Sequence, residues 1–387
     1  MVIEKETINI GCNSGFDVAE DVPKFASYTP DLDRIEDLAA EYRFEDLVVI
    51  GNGGSVTSFR AFYHALKDTT EKNVHIVTTM HPDYLSDLSE ELEPEKTLVM
   101  PISKSGETVG VVESLLYFLE RDFPAFAVTS DNDGALRQIV EKTGMGFIEH
   151  PDISGRYTGA TETGLVPAAF AGLDFRGIRE GAERMYEKLK PGTESNEAKN
   201  MAQCLYNAEI SGFTEVFTPF YSERLMGFYP FLVQAMHETY CKNGRGQTFF
   251  GDMGPECQHH TIQRLFGGRE DVMTWFFRVG EREGKSLKIG SDLYNILIRG
   301  EKLERLESKE LSESLEAEME GVRKVVEEEN MPGTVLTVDR VNPETCGELL
   351  AFIQYTAFYS AKLRDMNPFD QPDVERSKEL GFKKRFR

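Results

Sequence analysis

Two short segments of this chain place small polar residues where a predicted strand gives way to a helix. The first, 51–55, reads GNGGS, and the second, 103–108, reads SKSGET, with three hydroxyls and a glycine in six residues. Hydroxyls and the free N–H groups of a helix start suit a phosphate dianion, because short neutral donors converge on its oxygens and the helix dipole favours negative charge. The second segment therefore predicts a phosphate cradle. A glycine turn in the first and a capped helix start in the second are the alternatives.

Neither segment matches a nucleotide-binding motif. Val56 stands where the third glycine of GxGxxG belongs, which disfavours a dinucleotide. The chain also lacks the GxxxxGK[ST] sequence of a Walker loop.

Two charged residues stand where acid–base chemistry would use them. Arg156, in the sequence GRYT, follows the last strand of the first predicted sheet, and its permanent charge suits a negative charge that develops during reaction. Glu238 lies near the end of a predicted helix, with Gln234 one turn earlier on the same face. A carboxylate in a partly dry cleft is a suitable base for moving a proton between adjacent carbons. A surface salt bridge and a solvent-facing glutamate are the ordinary alternatives.

A histidine pair and a lysine complete the candidate set. The motif HExxH would need a histidine at position 241, but Cys241 occupies it, and the adjacent side chains of His259 and His260 diverge, so we predict no metal site. A neutral imidazole that shuttles a hydroxyl proton is the stronger interpretation of His259. Lys378 follows the sequence NPFDQPDVE and a strongly apolar helix, which predicts an amine placed close to something buried.

The composition restricts the class of partner. The chain has 387 residues with 43 Lys and Arg against 66 Asp and Glu, and its formal charge of -23 repels nucleic acids. Its five cysteines show no CxxC spacing, so we expect neither a disulfide framework nor a zinc knuckle. No basic leader and no run of 18 apolar residues occurs, so we expect a cytoplasmic protein without a membrane partner.

The alternation of apolar runs and amphipathic segments predicts an α/β fold. Short uninterrupted apolar strands separated by helices indicate a parallel sheet covered on both faces, so we predict doubly wound parallel sheets. The predicted strands of the first sheet are 46–50, 74–77, 97–102, 125–129 and 146–149.

A break of turn-forming residues at 191–196 suggests where a second domain begins. We predict an N-terminal domain with its extension at 1–190, a second domain at 195–340, and a C-terminal helical segment at 341–387 that carries Lys378. Further predicted elements are strands at 215–219, 272–279 and 334–338, a helix at 230–240, a charge-rich helical region at 301–330 and a buried helix at 348–363.

Six motifs together resemble the phosphoglucose isomerase family, whose members are built from two sugar-isomerase (SIS) domains. The motifs are GNGGS, SKSGET, GRYTGATETGLVPAAFAG, the helix end at Glu238 with its KNGRG loop, GPECQHH and NPFDQPDVERSK. They occur in family order over most of the chain, and their combination is highly specific. The short length resembles the archaeal or compact bacterial form.

The resemblance implies an aldose–ketose isomerase that interconverts glucose 6-phosphate and fructose 6-phosphate. By resemblance, Glu238 moves the proton between C1 and C2 through a cis-enediolate, Arg156 steadies that enediolate, and His259 and Lys378 open the sugar ring. The implied substrate contacts are Ser55, Ser103, Lys104, Ser105, Thr108, Gln234 and Gln371. In this family the histidine comes from the partner subunit, so the resemblance implies a homodimer with His259 contributed across the interface. No redox step occurs, and neither a cofactor nor a metal is required.

Two other functions compete with this one. A dual phosphoglucose and phosphomannose isomerase would share the architecture and differ in how the cleft handles the C2 epimer. A non-catalytic module that binds a sugar phosphate would have no need of Glu238, His259 and Lys378, and this chain has all three.

Overall fold

The structure is a computed structural model that describes residues 3–12, 21–282 and 284–386. Contacts divide it into two compact units, each discontinuous in sequence. The larger unit comprises the described residues of Cys12–Tyr206, Arg224–Gln247 and Val341–Arg387, and the smaller unit those of Met1–Gly11, Asn207–Glu223 and Thr248–Arg340. This division differs from the contiguous domains drawn from the sequence, because the helix that carries Glu238 and the segment after residue 340 belong to the larger unit.

The described residues form twelve strands and fourteen α-helices. The strands are β1 (Ile3–Ile8), β2 (Asp46–Ile50), β3 (Asn73–Val77), β4 (Thr97–Ser103), β5 (Phe126–Thr129), β6 (Gly146–Glu149), β7 (Glu215–Tyr221), β8 (Thr248–Met253), β9 (Val272–Val279), β10 (Leu297–Ile298), β11 (Glu301–Lys302) and β12 (Gly333–Val338). The helices are α1 (Lys24–Ser27), α2 (Leu32–Glu41), α3 (Thr57–Leu66), α4 (Pro82–Glu91), α5 (Val109–Leu119), α6 (Ala135–Thr143), α7 (Glu162–Phe170), α8 (Phe175–Leu189), α9 (Glu197–Ile210), α10 (Phe228–Tyr240), α11 (Thr261–Gly267), α12 (Leu311–Glu328), α13 (Pro343–Leu363) and α14 (Glu375–Arg385).

The larger unit contains a five-stranded sheet in the order β3-β2-β4-β5-β6, and its strand pairs are all parallel. The strands β2, β4 and β5 are buried almost throughout, as expected for a parallel sheet with helices on both faces. The predicted strands match the observed ones to within one residue at each end, so the doubly wound fold is confirmed for this sheet.

The smaller unit contains a second five-stranded sheet in the order β1-β12-β9-β7-β8. Strands β12, β9, β7 and β8 pair in parallel, whereas the edge strand β1 runs antiparallel to β12. The sequence predicted β7, β9 and β12 but neither β1 nor β8. The charge-rich region 301–330 begins with the short strand β11 and a 3₁₀ turn, and becomes helical only from Leu311.

The helix predicted at 348–363 is confirmed as a buried helix, α13, and it begins earlier, at Pro343. Every residue from Thr345 to Ala361 is buried, and α8 packs closely against it. Glycines permit this approach: a Cβ atom on Gly181 would lie 1.8 Å from the carbonyl oxygen of Glu344, and one on Gly347 would lie 1.9 Å from that of Ile178. The two backbones are therefore in direct contact.

One expectation about the cysteines is wrong. Cys12 and Cys204 form a disulfide within the larger unit, with Cα atoms 4.7 Å apart and a sequence separation of 192. Neither the odd number of cysteines nor their spacing in sequence carries information about a pair brought together only by the fold. Within the described residues, Cys241, Cys257 and Cys346 form no disulfide.

In the described part of the chain, no helix is both long and apolar enough to cross a membrane.

Substitution Gly347→Ala should lower the free energy of unfolding by about 1–3 kcal/mol, because the new methyl group overlaps backbone atoms that cannot rotate away. Denaturant unfolding of the purified variant measures this. Gly381→Ala in α14 is the matched control, since a Cβ atom there would meet its nearest neighbour at an ordinary 3.6 Å, and the helix should gain slightly from alanine. Equal stability of the two variants would contradict the tight packing of α8 on α13.

Candidate active site

The topology of the larger unit creates a crevice at the ends of two neighbouring strands. From β2 the chain first crosses to β3 on one side and then returns to β4 on the other side. The loops after β2 and β4 therefore diverge at the point where the strand order reverses, and open α/β sheets bind ligands there. GNGGS follows β2 and SKSGET follows β4, so the sheet brings the two predicted loops side by side.

The GNGGS loop forms a 3₁₀ turn, Gly53–Ser55, just before α3. Gly53 has a φ of 55°, a left-handed conformation that favours glycine. A Cβ atom on Gly54 would lie 2.2 Å from the carbonyl carbon of Gly155 and 2.5 Å from the backbone nitrogen of Arg156. Only glycine at position 54 allows this loop to meet the loop of Arg156, and it places Ser55 beside that contact.

The SKSGET loop brings its hydroxyls together at the N-terminus of α5. The Ser103 and Thr108 hydroxyl oxygens are 3.0 Å apart, and the Ser105 hydroxyl oxygen accepts a hydrogen bond of 3.1 Å from the backbone N–H of Glu107. Gly106 has a φ of 70°, which lets the loop turn back on itself. The arrangement agrees with a cradle for a phosphate group at a helix start.

The side chain of Lys104 has a partner outside this loop. Its ammonium donates a 2.7 Å hydrogen bond to the carboxylate of Asp152, and the lysine side chain is 41% exposed. This hydrogen bond, with the charges of Lys104 and Lys24, holds the pKa of the Asp152 carboxyl below its ordinary value.

Arg156 lies in a 3₁₀ turn, Gly155–Tyr157, and is only 1% exposed. Its Nε donates to the Thr239 hydroxyl at 2.8 Å. Its Nη2 donates to the carbonyl oxygens of Pro368 at 2.7 Å and Asp370 at 3.0 Å. Its Nη1 faces three acceptors: Ser154 Oγ at 3.2 Å, Glu238 Oε2 at 3.2 Å and Gln371 Oε1 at 2.7 Å. A buried guanidinium is tolerated because all of its nitrogens have partners.

Glu238 lies in the last turn of α10 and is held by a short chain of hydrogen bonds. Its Oε1 accepts from the Gln234 amide at 2.9 Å, and its Oε2 accepts from Arg156. The Gln234 side-chain oxygen in turn accepts from the Thr57 hydroxyl at 2.8 Å, which links the carboxylate to the start of α3. The Glu238 side chain keeps 31% exposure, so the carboxylate is oriented but still open to a ligand.

A loop after α13 closes over the same arginine. Lys242, two residues beyond the end of α10, donates from Nζ to the carbonyl oxygens of Asn367 at 2.7 Å and Asp370 at 2.6 Å, and to Asp370 Oδ1 at 2.5 Å. The hydrogen bond from Lys242 is the main reason that the pKa of the Asp370 carboxyl is lowered. Gln371, the next residue, is thereby presented to Arg156.

Two cavities in the larger unit border these residues. One of about 740 Å³ is lined by Lys104, Ser154, Gly155, Gln371 and by further charged and apolar residues. This volume is within the roughly 300–1,000 Å³ of small-molecule sites. A smaller one of about 130 Å³ is lined by residues that include Glu238, Lys242 and Gln371. Gln371 borders both.

Among the described residues, two predicted ones take no part in the hydrogen bonds of Arg156 and Glu238. Lys378 lies on α14 with a side chain 63% exposed, and its ammonium pairs with Glu375 at 2.8 Å. His259 ends a 3₁₀ turn, Glu256–His259, in the smaller unit and is exposed. Their roles in ring opening stay predictions.

Sequence reasoning missed Thr57, Thr239, Lys242 and Asp370. Lys242 opens the turn KNGRG, whose residues are typical of an exposed loop, and only its position four residues after Glu238 hints at a shared site. In the described ranges, no three histidine, cysteine or acidic side chains come together as metal ligands would.

The chain is similar to proteins of known family. A probable glucose-6-phosphate isomerase of Haloarcula marismortui is 26% identical over 86% of this chain and 76% of its own length. A glucose-6-phosphate isomerase of Leptospira biflexa is 30% identical over 85% of this chain and 77% of its own. The crystal structure of a glucose-6-phosphate isomerase from Chlamydia trachomatis shares the fold, with a TM-score of 0.78, 22% identity and coverage of 97% of this chain and 81% of that one.

The family model of phosphoglucose isomerase matches residues 37–385, a span that contains every residue of the site described above. The chain therefore belongs to the phosphoglucose isomerase family.

Proposed function

We propose that the protein interconverts glucose 6-phosphate and fructose 6-phosphate as a cytoplasmic homodimer. One observation carries the proposal: an oriented, partly exposed carboxylate, Glu238, lies within 3.2 Å of a buried guanidinium, Arg156. A base next to a fixed positive charge is what proton transfer between adjacent carbons needs, because negative charge develops as the proton leaves.

In the proposed reaction, Glu238 removes the proton from C2 of the open-chain aldose. The electron pair of that C–H bond forms the C1–C2 double bond of a cis-enediolate, and the carbonyl oxygen at C1 takes up negative charge. Arg156 offsets this charge, since its guanidinium cannot lose its proton. A proton then passes from the hydroxyl at C2 to the oxygen at C1, and Glu238 returns its proton to C1 as the electron pair of the O–H bond at C2 forms the carbonyl there. The aldose has become the ketose without any change in overall oxidation state.

The phosphate of the substrate is assigned to the SKSGET loop. Ser103, Ser105 and Thr108 supply hydroxyls at the start of α5, whose free N–H groups and dipole favour a dianion. Ser55, Gln234 and Gln371 are proposed as further contacts. Lys104 would have to leave Asp152 to reach the same phosphate, and this exchange is open to a lysine that is 41% exposed.

Ring opening is assigned to His259 and Lys378 on the strength of the family resemblance. His259 of each subunit would serve the site of the other, which requires a homodimer. The reaction has no redox step and therefore no need of a nicotinamide. It has no need of a metal either, and a coupled assay with fructose 6-phosphate, run with and without a chelator, tests this directly.

Substitution Glu238→Gln should lower kcat by roughly 10²- to 10⁴-fold, the contribution of a positioned base, and leave KM nearly unchanged. The amide keeps the shape of the side chain but cannot accept the C2 proton. Glu187→Gln, which alters an exposed carboxylate paired with Lys190, is the control and should retain wild-type activity. A kcat like that of the unmodified protein in Glu238→Gln would refute the assignment of the base.

The double substitution Ser105→Ala and Thr108→Ala should raise KM by about 10- to 100-fold, because each lost hydrogen bond to a charged group is worth roughly 1.5–3 kcal/mol, partly recovered by water. The phosphate is held alike in the ground and transition states, so kcat should change little. Thr143→Ala, whose exposed hydroxyl bonds to its own helix at Ile139, serves as the control. An unchanged KM in the double variant would show that the phosphate binds elsewhere.

A further inference from the structure

Lys242 is almost fully buried, and its ammonium is fully used. The side chain is 8% exposed, and Nζ has three acceptors: the carbonyl oxygens of Asn367 and Asp370 and the Oδ1 of Asp370. An ammonium group has three N–H bonds, so the loop satisfies each of them. Movement of the loop would leave this buried ammonium without hydrogen-bond acceptors, which is costly, so Lys242 fixes the loop in place.

The same loop is held by Arg156 from a different direction. The carbonyl oxygen of Asp370 accepts from Lys242 Nζ at 2.6 Å and from Arg156 Nη2 at 3.0 Å, so one oxygen joins the two cations. Arg156 Nη2 also donates a hydrogen bond to the Pro368 carbonyl oxygen at 2.7 Å. Within the loop, Asn367 donates to Asp370 Oδ2 at 3.1 Å, and Phe369 packs edge-on against Tyr157.

The loop in turn determines the surroundings of the proposed base. Gln371 follows Asp370 directly, and its side-chain oxygen accepts a 2.7 Å hydrogen bond from Arg156 Nη1, the nitrogen that also faces Glu238. Displacement of the loop would therefore move Gln371 and remove the two carbonyl oxygens that orient the guanidinium. Glu238 itself would stay in place, because Gln234 holds it within α10.

We propose that Lys242 is a positioning residue for the isomerase reaction: by fixing the Asn367–Gln371 loop, it sets the orientation of Arg156 and Gln371 beside Glu238. The inference rests on the proposed function for its effect on turnover. Its structural part, the anchoring of the loop, can be measured without any activity.

The test is Lys242→Met in the full-length protein, which keeps the length of the side chain and removes its donors. The expected result is a kcat lowered by about 10- to 100-fold with KM within about threefold, because misplacement of a charge-stabilising group by roughly 1 Å costs turnover on this scale. Hydrogen exchange followed by mass spectrometry should show faster exchange in the peptide that covers Asn367–Gln371. Lys190→Met, which removes a 41% exposed lysine paired with Glu187, should leave both measurements unchanged.

A second pair of variants guards against misfolding of Lys242→Met. Asp370→Ala removes one of the three acceptors from a side chain that is 51% exposed, so the fold should tolerate it, and kcat should fall by about 3- to 10-fold with KM unchanged. Asp370→Asn keeps an oxygen acceptor and should restore most of that loss.

Four outcomes decide between the possibilities. Unchanged exchange in the Lys242→Met loop would overturn the anchoring role. Faster exchange with a kcat within twofold of the unmodified protein would overturn the link to catalysis, as would a kcat unchanged in Asp370→Ala. Absence of isomerase activity in the unmodified protein would instead refute the proposed function, and the exchange measurement would still report on the loop.

Discussion

The buried guanidinium of Arg156 is the constraint around which the larger unit is organised. At 1% exposure it has lost its water, so each nitrogen must find an acceptor in the protein. The acceptors come from three places far apart in sequence: the loop of Ser154, the end of α10 and the loop after α13. Gln354 of α13 adds a hydrogen bond of 3.2 Å to the backbone oxygen of Arg156. Burial of one charge thus draws together the pieces from which the proposed site is built.

Five residues at and just after the C-terminal end of α10, 238–242, supply several groups of the proposed site. Glu238 supplies the proposed base, Thr239 accepts from Arg156 Nε, and Lys242 holds the loop that presents Gln371. Because these residues share one helix end, their spacing is set by local backbone geometry and does not depend on distant parts of the chain. The proposed base, the acceptor of Arg156 Nε and the lysine that anchors the loop therefore keep constant positions relative to one another.

The elements that produce a local sequence pattern were predictable from the sequence. The strands of the first sheet and the loops after β2 and β4 follow from apolar runs and from glycine and hydroxyl spacing. Strand β8 was missed because it contains Gly251, whose missing side chain allows contact with Thr218 and weakens the strand pattern. Lys242 and the Cys12–Cys204 disulfide were not predictable in this way, since their partners lie more than a hundred residues away.

The contact between Gly54 and Gly155 has a consequence for how the specificity of this protein could change. Two loops that touch through bare backbone are already as near to each other as chains can be, so no substitution can narrow the gap between them further. Any larger side chain at position 54 would push the two loops apart and move Arg156 away from the SKSGET loop. Changes of specificity in such a protein must therefore arise at the periphery of the cleft, where side chains still have room to vary in size.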